Sequence, residues 1–121
     1  MRLNDAVRTL GLGVLAAGPG LERELAGGYV SDLMSDVIAH AEAGDLWLTV
    51  QIHANIVAVA AMKELAGIVL AGGRQPEAET LRKAREKKVT VLESRLPAFE
   101  LAGRLYQLGL RGRGSDAAGG V

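Results

Sequence analysis

Short apolar runs recur along the chain at residues 46–52 (LWLTVQI), 67–71 (GIVLA) and 89–92 (VTVL), each separated from the next by a stretch with helical spacing. That alternation constrains the fold more than any other feature. A strand, a helix and a second strand in this rhythm form a right-handed crossover between parallel neighbours. Residues 46–52 carry β-branched and aromatic side chains, and Leu46, Leu48, Val50 and Ile52 alternate against Trp47, Thr49 and Gln51. Residues 67–71 have the continuous hydrophobic character of a strand covered on both faces. Residues 11–17 read as a further strand, and residues 23–26 add a short one. The expected fold class is therefore α/β: a mainly parallel sheet of about four to five strands, with helices on both faces, in a single domain.

The helical stretches are residues 3–10, 32–43 and 56–66, a segment opened by Gln75 and Pro76 that reaches Lys88, and residues 97–108 before Gly109. Residues 56–62 (IVAVAAM) are apolar nearly all the way round, so that helix must be covered on more than one side. The domain is assigned to residues 1–110, and the tail 111–121 (RGRGSDAAGGV) reads as disordered. A chain of 121 residues buries roughly two-thirds of its unfolded surface and needs no metal or crosslink to fold.

Fourteen basic residues cancel fourteen acidic ones, which removes the field that a nucleic-acid or anionic-membrane partner requires. One Phe, two Tyr and one Trp leave few platforms for stacking bases. Cysteine is absent, excluding disulfides and thiolate chemistry. The opening residues, MRLNDAVRTLGLGVLAAG, are too interrupted by charge and glycine for a signal peptide or a membrane span, and a cytoplasmic address is expected. Gly11, Gly13 and Ala16 imitate a dinucleotide fingerprint, but a helical segment stands where that motif needs a strand.

The stretch ERELAGGYVSDLMSD, residues 22–36, holds the densest set of candidate site residues. Gly27 and Gly28 read as a turn, and Ser31 as the cap of a helix starting at Asp32, whose free N–H groups would cradle an anion. In parallel sheets ligands sit beyond the carboxyl ends of strands. That edge is assigned here to the loop before Gly27 and Gly28, to His53, Ala54 and Asn55, to Gly72, Gly73 and Arg74, and to Glu93, Ser94 and Arg95. The candidate ligand-binding set is Arg23, Gly27, Gly28, Tyr29, His53 and Asn55. Arg23 supplies charge, Tyr29 an aromatic wall, and Asn55 a cap for the next helix. Gly72, Gly73 and Arg74 read as a plain strand-to-helix turn. Asp32, Asp36, Glu42 and Asp45 match no metal-ligand spacing and read as a solvated face. No catalytic set, metal site or cofactor motif emerges, and without a Gly-rich loop followed by Lys and Ser or Thr no nucleotide hydrolysis is expected.

Four separated segments also agree in order with a known family. ERELAGGYVSDLMSD, GDLWLTVQIHANIVAVA, LAGIVLAGGRQPE and PAFELAGRLYQLG together resemble the DRTGG domain over about residues 11–109. Glu22 stands where the family has Asp, Arg23 matches, Ala26 replaces Thr, and Gly27 and Gly28 match. The resemblance implies a regulatory α/β module, similar in fold to the N-terminal domain of HPr kinase/phosphorylase, found alone or beside CBS and phosphotransacetylase-like domains. It implies no particular activity.

The functional expectation is a non-catalytic regulatory or protein-interaction module that senses a small anionic or nucleotide-like ligand. The alternative is a small enzyme or accessory subunit acting on a phosphorylated substrate. A homodimer is expected from the apolar circumference of residues 56–62 and from the resemblance, with Val59 at the contact.

Overall fold

In chain order the computed structural model, which describes residues 1–112, contains α1 (Leu3–Leu10), β1 (Gly13–Ala16), a 3₁₀ turn (Pro19–Glu22), β2 (Gly27–Val30) and α2 (Met34–His40). There follow β3 (Asp45–Thr49), α3 (Asn55–Lys63), β4 (Gly67–Leu70), α4 (Ala78–Lys87), β5 (Val91–Glu93) and α5 (Ala98–Gln107). The five strands form one sheet in the order β1-β5-β4-β3-β2, parallel except for the antiparallel pair of β1 with β5. The expected α/β class with a mainly parallel sheet is what the chain adopts.

Handedness sorts the helices. From β2 to β5 each connection steps to the next strand in the same direction, so right-handed crossovers place α2, α3 and α4 on one face. There they cover Trp47, Ile68, Leu70 and Val91. α1 and α5 cover Leu46, Leu48, Val69 and Leu92 on the other. Every residue of β3 and β4 is buried, each large apolar side chain contributing roughly 2 kcal/mol. Ile52, expected to continue the alternation of Leu46 and Leu48, packs instead with the Trp47 cluster, because β3 ends at Thr49 and the chain turns there.

The apolar circumference of α3 is spent inside the subunit. Ile56, Val57, Val59 and Ala60 are buried between the sheet and its flanking helices, and only Ala58, Ala61 and Met62 of its apolar residues face solvent. Val59 is 7% exposed, so it belongs to the core and an Asp there would act on folding.

Four local expectations are overturned. Residues 23–26 do not form the extra strand; Gly27 and Gly28 do, as the start of β2, paired with Asp45 and Leu46 of β3. Neither has positive φ, so they are not a turn. Ser31 does not cap a helix at Asp32: its hydroxyl accepts from the Leu33 N–H at 3.1 Å in a local turn, and α2 starts at Met34. Asp45 is not solvated; it is fully buried and its carboxylate accepts from the Glu42 N–H at 2.9 Å.

From β1 the chain crosses under the amino ends of β5 and β4 to reach β2 at the opposite edge. Gly20 makes that passage possible, since a Cβ there would stand 1.9 Å from the Ala66 carbonyl oxygen. After α5, Leu110 is buried, and the Gly28 N–H donates to the Arg111 carbonyl at 3.0 Å. Residues 110 and 111 therefore lie along the free edge of β2. The rest of the expected tail, residues 113–121, lies outside the described residues.

Candidate functional site

Sheet direction separates the predicted site residues into two groups. Gly27 and Gly28 lie level with Asp45 and Leu46, at the amino end of β3, whereas His53 and Asn55 follow its carboxyl end. At about 3.3 Å per residue the strand holds them roughly 10 Å or more apart. The six residues do not converge.

Each has a local task. Arg23 lies at the amino edge, where Nη1 donates to the Glu64 carbonyl at 2.8 Å and satisfies the C-terminal end of α3, at its negative dipole end. Asn55 is not a cap but the first residue of α3, whose N-cap is Ala54, and its N–H donates to His53 Nδ1 at 3.1 Å, so the histidine ring satisfies the first N–H of the helix. Tyr29 reaches α2. Its hydroxyl donates to Asp36 Oδ2 at 2.8 Å, and His40 Nδ1 stands 3.0 Å from Asp36 Oδ1. The Tyr29 hydroxyl, then the Ser31 hydroxyl, hold the Asp36 carboxylate below its usual range; burial opposes them, and the His40 ring adds a smaller lowering. The same bond, with burial and the negative charge of Asp36, raises the Tyr29 phenol.

The carboxyl edge itself has two parts. Beyond β2 and β3, Asp32 Oδ1 accepts from Thr49 Oγ1 at 2.8 Å and from the Val50 N–H at 2.9 Å, while Trp47 Nε1 donates to the Ser31 carbonyl at 2.8 Å. These bonds close that part.

Beyond β4 and β5 the edge stays open. The loop after β4 turns to α4 on one face, and the loop after β5 turns to α5 on the other, so the two connections diverge. Such a divergence is where open α/β sheets make a crevice. Here it is a cleft of about 540 Å³, between Gly11 and Gly13 on one side and Gly73, Gln75, Glu93, Ser94 and Arg95 on the other. Gly72 and Gly73 both take positive φ, 71° and 70°, and donate their N–H groups to the Leu96 and Ser94 carbonyls at 2.7 and 2.9 Å. This locks the two loops together. Gln75 Nε2 donates to Glu93 Oε2 at 2.7 Å, and Arg95 is exposed and forms no ion pair among the described residues. A carboxylate and a free guanidinium thus border one hollow.

Among the described residues no group of three His, Cys, Asp or Glu side chains could hold a metal ion. No helix among them is long and apolar enough to cross a membrane.

A family model for the DRTGG domain matches residues 5–108, nearly the whole described chain. The chain belongs to the DRTGG domain family. Of solved structures, this DRTGG domain is similar to the CBS and DRTGG domains of the regulatory region of a Clostridium perfringens pyrophosphatase, complexed with its activator diadenosine tetraphosphate. The match has a TM-score of 0.65 at 16% identity and covers 84% of this chain. It covers 44% of that chain, so this DRTGG domain spans less than half of the regulatory-region chain it resembles. No curated protein matches the sequence.

The sequence reading named the loops at Gly72 and at Glu93 as carboxyl-edge loops but chose its site elsewhere. Of the residues that border this cleft, Gln75, Glu93, Ser94 and Arg95 carry no motif, and Gly11 and Gly13 entered only an imperfect dinucleotide fingerprint. The signal that would have found them is topological: the turn at which successive helices change face.

Proposed function

We propose that this DRTGG domain is a regulatory module without chemistry of its own, which senses a small phosphate-bearing, nucleotide-like ligand in the cleft beyond β4 and β5. The observation that carries this is the divergence of the two loops there, with Arg95 free to meet a phosphate and Glu93 placed to accept from sugar hydroxyls. The anionic activator bound by the pyrophosphatase regulatory region supports the ligand class. Arg23 is left out of the site because its guanidinium is engaged at the opposite edge. In this reading the module works in the cytoplasm as a homodimer that conveys occupancy to a partner.

Calorimetric titration with AMP, ATP and diadenosine tetraphosphate tests the proposal. One of them is expected to bind, with Arg95→Ala weakening it about tenfold or more and Arg23→Ala leaving affinity unchanged. Failure of all three to bind, equal affinity in Arg95→Ala, or phosphate release from a bound nucleotide by purified protein would overturn it.

A further inference from the structure

Helix α5 carries a face that the described residues leave largely uncovered. Leu101 and Leu105 anchor its inner side in the core. On its outer side, at helical spacing, Phe99 is 87% exposed and Tyr106 55%, with Gly103 between them. Phe99 is the chain's single phenylalanine. The Arg111 guanidinium stacks on one face of the Tyr106 ring, 3.8 Å from its centroid, and leaves the rest of that ring open. The Phe99 ring, more exposed still, marks a contact surface.

Gly103 points the same way. Glycine is among the poorest helix formers, and in a helix interior it is retained where something must approach closely. A Cβ at Gly103 would meet nothing within 4 Å, so no group among the described residues accounts for it. Gly103 sits in a shallow surface hollow bordered by Phe99, Glu100, Arg104 and Gln107.

The flanks of the face identify the occupant. At 100° per residue Gly103 lies near the middle, Phe99 and Tyr106 on one side, and Glu100 and Arg104 on the other. Glu100 and Arg104 are exposed, one turn apart, and neither joins an ion pair among the described residues. A two-fold axis perpendicular to α5 keeps each flank on its own side and reverses the order along it. Glu100 then meets Arg104 of a second copy and Arg104 its Glu100, while Phe99 meets the other copy's Tyr106. The face is complementary to itself in charge.

We infer that α5 is the face through which two copies of this chain pair, antiparallel and in contact at Gly103. This rests on the dimeric reading above and assigns its surface, in place of α3. The one large exposed apolar residue of α3 is Met62, whereas α5 presents two aromatic rings, a glycine and a balanced pair of charges.

Analytical ultracentrifugation of the full chain, with circular dichroism to verify folding, tests it. The native chain is expected to be a dimer at tens of micromolar. Glu100→Arg and Arg104→Glu each set like charges opposite one another and are expected to weaken the dimer by about tenfold or more, and the double exchange to restore it. Gly103→Gln, which favours the helix but blocks close approach, is expected to give a folded monomer. A native dimer indifferent to all of these changes would overturn the α5 interface and leave the dimeric reading standing. A native monomer at that concentration would overturn both.

Discussion

Asp32 joins the ends of two strands through a single carboxylate oxygen, and its removal gives a defined loss. Oδ1 accepts from Thr49 Oγ1 at 2.8 Å and from the Val50 N–H at 2.9 Å. Hydrogen bonds to a charged acceptor contribute about 1.5–3 kcal/mol each, and Asp32 is exposed, so the lower end applies. In Asp32→Ala the Val50 N–H recovers water. The Thr49 hydroxyl, on a residue only 1% exposed, does not, although it still accepts from the Gln51 N–H at 3.2 Å. The expected destabilisation is about 2–3 kcal/mol, or a fall in melting temperature of roughly 10 °C for a domain of this size. Asp32→Asn keeps an acceptor oxygen and should cost only about 1 kcal/mol. Thr49→Val removes the stranded donor, so the double variant should be less destabilised than the sum of the singles by about 1 kcal/mol. Urea unfolding followed by fluorescence of Trp47, the one tryptophan, reads this directly. If Asp32→Ala falls within about 0.5 kcal/mol of the native chain, or the cycle is additive, the account of this clasp is wrong.

Gly20→Ala should destabilise by more than about 3 kcal/mol or prevent folding, because its Cβ would lie 1.9 Å from the Ala66 carbonyl and the crossover cannot retreat without uncovering the amino ends of β4 and β5; a native-like melting temperature would refute this. Asp36 has a lowered folded pKa, so its contribution to stability is present above the ordinary carboxylate value and is lost as pH falls through the folded one. Tyr29→Phe removes the main cause and should move the Asp36 titration, followed by carboxyl NMR, toward the ordinary value; an unmoved titration would exclude the Tyr29 bond as that cause. Tyr29 itself should ionise later than a free phenol in an absorbance titration, and the stabilisation from its bond should be lost as pH rises through that raised value.

Periodicity and strand chemistry determined the layers. The apolar runs at residues 46–52 and 67–71 became β3 and β4, and the amphipathic stretches became α4 and α5, because burial of a face with a fixed repeat leaves one solution per segment. The family, too, was legible in the order of four segments. Tertiary structure alone decided which ends met. Gly27 and Gly28 look the same in sequence whether they turn or pair, and only the edge of β3 made them a strand. Arg23 and His53 were assigned to one edge, yet the direction of β3 put them at two. The apolar circumference of α3 could have been covered by a partner or by its own chain, and the crossovers that stack α2, α3 and α4 on one face chose the latter. Local pattern specifies what a segment buries, whereas handedness and strand order specify what it is buried against, and a site depends on the second.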